Sequence, residues 1–133
     1  MIPGFNDVGY LPPGVYLASL DEIAARFGQE SEIRQAQMDS VRWLVDMAKK
    51  AGVERLIING SFVTDALEPN DVDCALLPIA EYPRDPAAAA DLSEGLPFID
   101  LHVAEAKEFA ILVEKLYASD RDLTPKGVIE VIL

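Results

Sequence analysis

The sequence predicts an α+β (mixed α/β) domain: a small sheet of three to four strands with helices packed mainly on one face. Two stretches of helical periodicity come first in the chain. Short β-branched, apolar runs follow, each bounded by Gly, Pro or Asn. Further helices and loops are inserted among those runs, which rules out both a simple bundle and an all-β sandwich.

Residues 1–18 are rich in Pro and Gly, with Phe5, Tyr10 and Tyr16 interspersed. The "LPPG" run, Leu11 to Gly14, fits neither helix interior nor central strand, so an ordered N-terminal arm is expected, its aromatics packed on the body. Residues 19–133 form the single domain proper. Ser19 with Glu22 has the capping-box spacing, and Leu20, Ile23, Ala24 and Phe27 recur at helical intervals up to Gly28. A second helix is expected from about Glu32 to Lys50, closed by Gly52, with Lys49 and Lys50 at its negative end. "VERLIIN" (Val53 to Asn59) reads as a buried strand and "SFVTDAL" as a short helix. "DVDCALLP" and "PFIDLHVAE" read as the second and third strands, with a short helix over Ala87–Leu92 between them. A helix over Ala106–Ala118 and a final strand in "GVIEVIL" complete the chain. That final strand offers an edge on which a second copy could pair, so a homodimer is open.

The 133 residues carry 23 acidic and 11 basic side chains, a net charge of −12. Such a surface repels a phosphate backbone and disfavours extended nucleic-acid binding. No apolar run is long enough for a transmembrane helix, and the N-terminus lacks the basic and apolar regions of a signal peptide. One cysteine, Cys74, excludes an internal disulfide, and a cytoplasmic location is expected. With one His and one Cys no zinc site of the usual kind can be built within the chain.

The chemistry lies in "INGSFVTDALEPNDVDCALLP", Ile58 to Pro78. Alternation along a strand puts Asp71 and Asp73 on one face and Val72 and Cys74 on the other, with Cys74 in the core. By the same rule Asp100 opposes Ile99 and Leu101. Three carboxylates can therefore converge if the two strands are neighbours. Two of them ~5 Å apart repel by about 3 kcal/mol at an effective dielectric of about 20. Either a proton stays on or a hard cation, Mg2+ or Mn2+, sits between them. Gly60 lets a phosphate approach the backbone, and Ser61 can offer its hydroxyl and cap a helix whose free N–H groups bind an anion. A metal-bound triphosphate suits both features. The bland alternative is a polar turn leading into a strand, with no metal.

Gly60-Ser61, nine intervening residues and Asp71-Val72-Asp73 between apolar neighbours resemble the signature of the nucleotidyltransferase superfamily, the DNA polymerase β-like fold. Asp100 in "FIDLHV" matches the third acid of that signature. From "GYLPPG" to "KGVIEVIL" the chain is similar to a group of small bacterial proteins assigned to that superfamily. The resemblance implies that Gly60 and Ser61 bind the phosphates of a nucleoside triphosphate (NTP) and that Asp71, Asp73 and Asp100 hold divalent metal. Asp100 would also activate an acceptor hydroxyl. The expected reaction is metal-dependent transfer of a nucleoside monophosphate to a hydroxyl acceptor, a protein being one candidate. The alternative is a non-catalytic partner-binding module, an antitoxin-like regulator that keeps a metal or nucleotide site. Arg84, Arg121 and Lys126 are candidates for phosphate contact or else solvated surface charges. His102, on Asp100's face, is either an acceptor-side group or a structural histidine.

Overall fold

The computed structural model describes residues 1–133. Its centre is a five-stranded mixed sheet of β1 (Val15–Ala18), β2 (Val53–Asn59), β3 (Val72–Pro78), β4 (Ile99–Val103) and β5 (Val128–Val131), in the order β1-β5-β2-β3-β4. β5 runs parallel to β1 and antiparallel to β2; β2 and β3 are antiparallel; β3 and β4 are parallel.

The helices form where local chemistry directs. In α1 (Leu20–Phe27) the Ser19 hydroxyl accepts from the Glu22 amide, and the Glu22 carboxylate accepts from the Ser19 amide, closing the expected capping box. Ser31 caps α2 (Glu32–Ala51), and Gly52 ends it in the left-handed region that only glycine enters freely. Asp85 caps α3 (Pro86–Glu94), with Pro86 in the first turn. α4 (Ala106–Ile111) runs on into a π-helical turn at Leu112–Leu116. No helix is long and apolar enough to cross a membrane.

Both faces of the sheet are covered. Leu56, Ile58, Cys74, Leu76 and Ile129 face α1, α2 and α3, while Ile57, Ala75 and Val128 face Phe109, Leu112, Val113 and Tyr117 of the α4 segment. This is why "LII" reads as a continuous apolar run instead of alternating. Cys74 lies in the larger core, as expected, and burial pushes its thiol pKa well up.

Three details differ from the sequence reading. The last residues of the arm form β1, hydrogen-bonded only to β5, which brings the strand count to five. β1 is four residues long with Val15 and Leu17 exposed, so it carries little pattern. β5 is not an edge: it lies between β1 and β2, so it offers no free strand to a second copy, and the edges are β1 and β4. The segment after Ser61 is a single 3-10 turn, Ser61–Val63, too short to supply the helix-end anion site expected there.

Candidate functional site

The strand register brings the singled-out residues to one end of the sheet. Asp73 on β3 is paired with Asp100 on β4 and, on the other side, with Asn59 on β2. The chain leaves β2 at Gly60 with φ 84° and ψ −167°, a region essentially reserved for glycine. A Cβ built there would lie 2.5 Å from Asp73 Oδ2. The Gly-Ser corner and the Asp-Val-Asp segment therefore touch, through the absent side chain of Gly60.

Asp73 is partly buried, whereas Asp71, Asp100 and His102 are exposed. Burial raises the Asp73 pKa, and the charges of Asp100 and Asp71 raise it further; Lys126 and His102 act in the opposite sense. The charges of Asp71 and Asp100 are thus both felt at Asp73. As the three side chains stand, they do not gather into a set at metal-binding distance.

Gly60, Ser61 and Asp73 open onto a cleft of about 650 Å3, whose far wall carries Asp120, Arg121 and Lys126. Of the three basic candidates, Arg121 and Lys126 line this cleft. Arg84 does not: its backbone N–H bonds Ala51 O and its Cβ lies near Gly52, beside the start of β2. Burial lowers the Lys126 pKa, and the charges of Asp73 and Asp120 partly restore it. Lys126 and Asp73 do not form a direct ion pair, so the ammonium is open to an incoming anion. Behind the acids, the Tyr117 ring is buried against Ala75 and Val128. Burial raises its hydroxyl pKa, with Cys74, Asp73 and Asp100 adding to the effect.

Two residues that build the cleft were not recognisable as such. Tyr10, from the arm, spans it. Its backbone bridges Thr64 on one wall, and its hydroxyl donates to Asp120 Oδ2 at 2.7 Å on the other. That bond, foremost, lowers the Asp120 pKa. Asp120 Oδ1 accepts from the Asp122 and Thr124 amides, fixing the loop that carries Arg121. The aromatics of the arm were the one sign that it packs on the body.

Arg34 of α2 holds the opposite wall. It is 2 % exposed, and its guanidinium donates to Phe27 O, Phe62 O, Thr64 O and Ala66 O at 2.5 to 3.0 Å. Backbone carbonyls, not a carboxylate, take up its donors, and three of the four belong to the segment that follows Ser61. Within a helical run "EIRQ" such an arginine looks like an ordinary solvated charge.

The donor set suits a hard divalent cation, because every candidate ligand is an oxygen. A cation would also relieve the repulsion borne by Asp73. Deeper still, Asn59 is 4 % exposed and its Oδ1 accepts no hydrogen bond from the protein.

No curated protein and no solved structure matches the chain. A family model matches residues 3–132, nearly its whole length, and the chain belongs to that family, a family of unknown function (DUF6932).

Proposed function

We propose that this domain is a small metal-dependent nucleotidyltransferase, moving a nucleoside monophosphate from an NTP to a hydroxyl acceptor. The observation that carries the reading is the packing of Gly60 against the Asp73 carboxylate, with Asp100 in register on the next strand. This proximity supports a nucleotide held between the corner and the acids.

In this reading Asp71, Asp73 and Asp100 would hold Mg2+ or Mn2+. When bound, the cation neutralises charge on the attacking and leaving oxygens of an in-line displacement. Gly60 lets the phosphates reach the backbone, and the Ser61 hydroxyl donates to them. Arg121 and Lys126 reach across the cleft to the β- and γ-phosphates. Asp100 takes the proton of the acceptor hydroxyl. The acceptor oxygen bonds to the α-phosphorus as the bond to the bridging oxygen breaks, and pyrophosphate leaves. Catalysis is then mainly positioning and charge neutralisation.

The test is incubation with Mg2+ or Mn2+ and each α-labelled NTP, alone and with a bacterial lysate. Label should pass to an acceptor, and Asp73→Asn should abolish the transfer. Transfer that is absent, or unchanged in the variant, removes the enzymatic reading.

One observation favours a second reading, a non-catalytic partner-binding module retaining the site. Leu116 lines the cleft and is 64 % exposed; Leu67 beside Ala66 and Leu123 beyond Arg121 are 63 % and 79 % exposed. Apolar side chains at a polar cleft suit a protein that covers it. Binding of Mn2+ and nucleotide without turnover distinguishes this reading.

A further inference from the structure

The backbone around Tyr10 is fixed on both walls of the cleft. Its N–H donates to Asn6 Oδ1, and its carbonyl accepts from the Asn6 amide at 2.7 Å. Tyr10 forms a bridge with Thr64, beside the bond from the Asp65 amide to Gly9 O. On the other wall the carbonyl of the next residue, the fully buried Leu11, accepts from the Gly127 amide. The place of the Tyr10 ring therefore follows from an arm that is already pinned.

Its hydroxyl ends on Asp120, within a closed turn. Ser119 bridges Pro125, the Asp120 amide donates to Thr124 O, and the Lys126 amide donates to Ala118 O. Arg121 and Lys126, both of this turn, line the cleft. Asp120 Oδ1 accepts from the Asp122 and Thr124 amides, each at 2.9 Å. Asp120 Oδ2 has one partner, the Tyr10 hydroxyl at 2.7 Å. The turn thus keeps its own amides on Oδ1, and loss of the phenol would release Oδ2 alone.

Lys126 has the opposite need. It is half-buried, and the charges of Asp73 and Asp120 both act on it, yet it forms an ion pair with neither. A partly buried ammonium without a partner is poorly satisfied. Asp120 Oδ2, in the same turn, is a group of the right charge, and Tyr10 occupies it.

We infer that Tyr10 is a positioning residue of this cleft: its hydroxyl engages Asp120 and so keeps the Lys126 ammonium available to a phosphate anion. The inference rests on the reading in which Arg121 and Lys126 meet phosphate, and it requires no metal. A phenol suits the task because it donates a hydrogen bond and brings no charge of its own.

The test is calorimetric titration of the full chain with inorganic tripolyphosphate, in the absence of divalent cations. Wild type should bind it. Tyr10→Phe should bind roughly two- to fivefold more weakly, the worth of a partly exposed Asp120–Lys126 ion pair that the anion must then break. The loss should vanish when Tyr10→Phe is made in an Asp120→Asn or a Lys126→Gln background, because one member of that pair is then missing. A tyrosine that merely braced the wall would cost the same in every background. Circular dichroism checks that each variant folds, and either background suffices if the other does not fold or binds too weakly to measure. Equal affinity in wild type and Tyr10→Phe, or a loss of the same size in these backgrounds, overturns the role of Tyr10 while leaving the phosphate reading standing. A wild type that binds no tripolyphosphate overturns the phosphate reading and this inference together.

Discussion

Replacing Arg34 with methionine tests how the cleft wall is held. Methionine fills much of the arginine's volume and can reach none of its partners. Five hydrogen bonds to four carbonyl oxygens are lost, and three of those bonds are buried. A buried acceptor left unpaired costs about 1–3 kcal/mol. If water reaches the half-buried Ala66 carbonyl, some three orphans remain, so the loss is roughly 3–9 kcal/mol. That is a large part of the ~5–15 kcal/mol that holds a domain of this kind. At about 4 °C per kcal/mol for this length, the melting temperature should fall by roughly 12–36 °C. Arg34→Lys should recover only part of the loss, because an ammonium has three donors and no planar fork. Calorimetry gives the stability. Hydrogen exchange gives the location: protection should drop first at residues 61–66. A methionine variant within about 1 kcal/mol of wild type by calorimetry, the size of one ordinary hydrogen bond, refutes the clamp.

Gly60→Ala should cost about 2 kcal/mol or more, because alanine strains at this backbone conformation and its methyl displaces the Asp73 carboxylate; urea denaturation checks this, and Mn2+ binding should weaken in parallel. Asp73→Asn should be more stable than wild type at pH 7 in the presence of a chelator. The folded state raises the Asp73 pKa, so the penalty for its charge is present above that raised value, fades as pH falls through it, and is gone below the unfolded value of about 3.9. The gap between the two proteins should therefore close between pH 7 and pH 4, and a gap that widens refutes the assignment. Arg121→Gln and Lys126→Gln should each weaken NTP binding by roughly tenfold, the worth of one charge-assisted contact, while Arg84→Gln should leave it unchanged; equilibrium dialysis with labelled nucleotide measures all three.

What the sequence revealed depended on distance along the chain. The Ser19–Glu22 cap, the Gly52 terminus of α2 and the burial of Cys74 follow from residues a few positions apart, and all were legible. The meeting of Gly60 with Asp73 was legible too, because a short connection leaves an antiparallel return few alternatives. The fit of Asp73 beside Asp100 needed one assumption, that β3 and β4 are neighbours, which the sheet satisfies. The rest depends on contacts that periodicity does not encode. Tyr10 and Asp120 meet only after folding. Nothing local separates Lys126, which lines the cleft, from Arg84, which does not. Asn59 read only as the end of a strand, and its burial is not encoded in the local pattern.

The placement of β5 has a consequence for how the protein assembles. β1 pairs with β5 alone, so it has no partner until β5, far along the chain, is made. Parallel pairing between segments so far apart carries a large loop-closure cost and forms late. Until then one side of β2 stays open. On a ribosome, β1 must wait for β5, and the Tyr10–Asp120 bond that spans the cleft forms only after residue 120 has emerged.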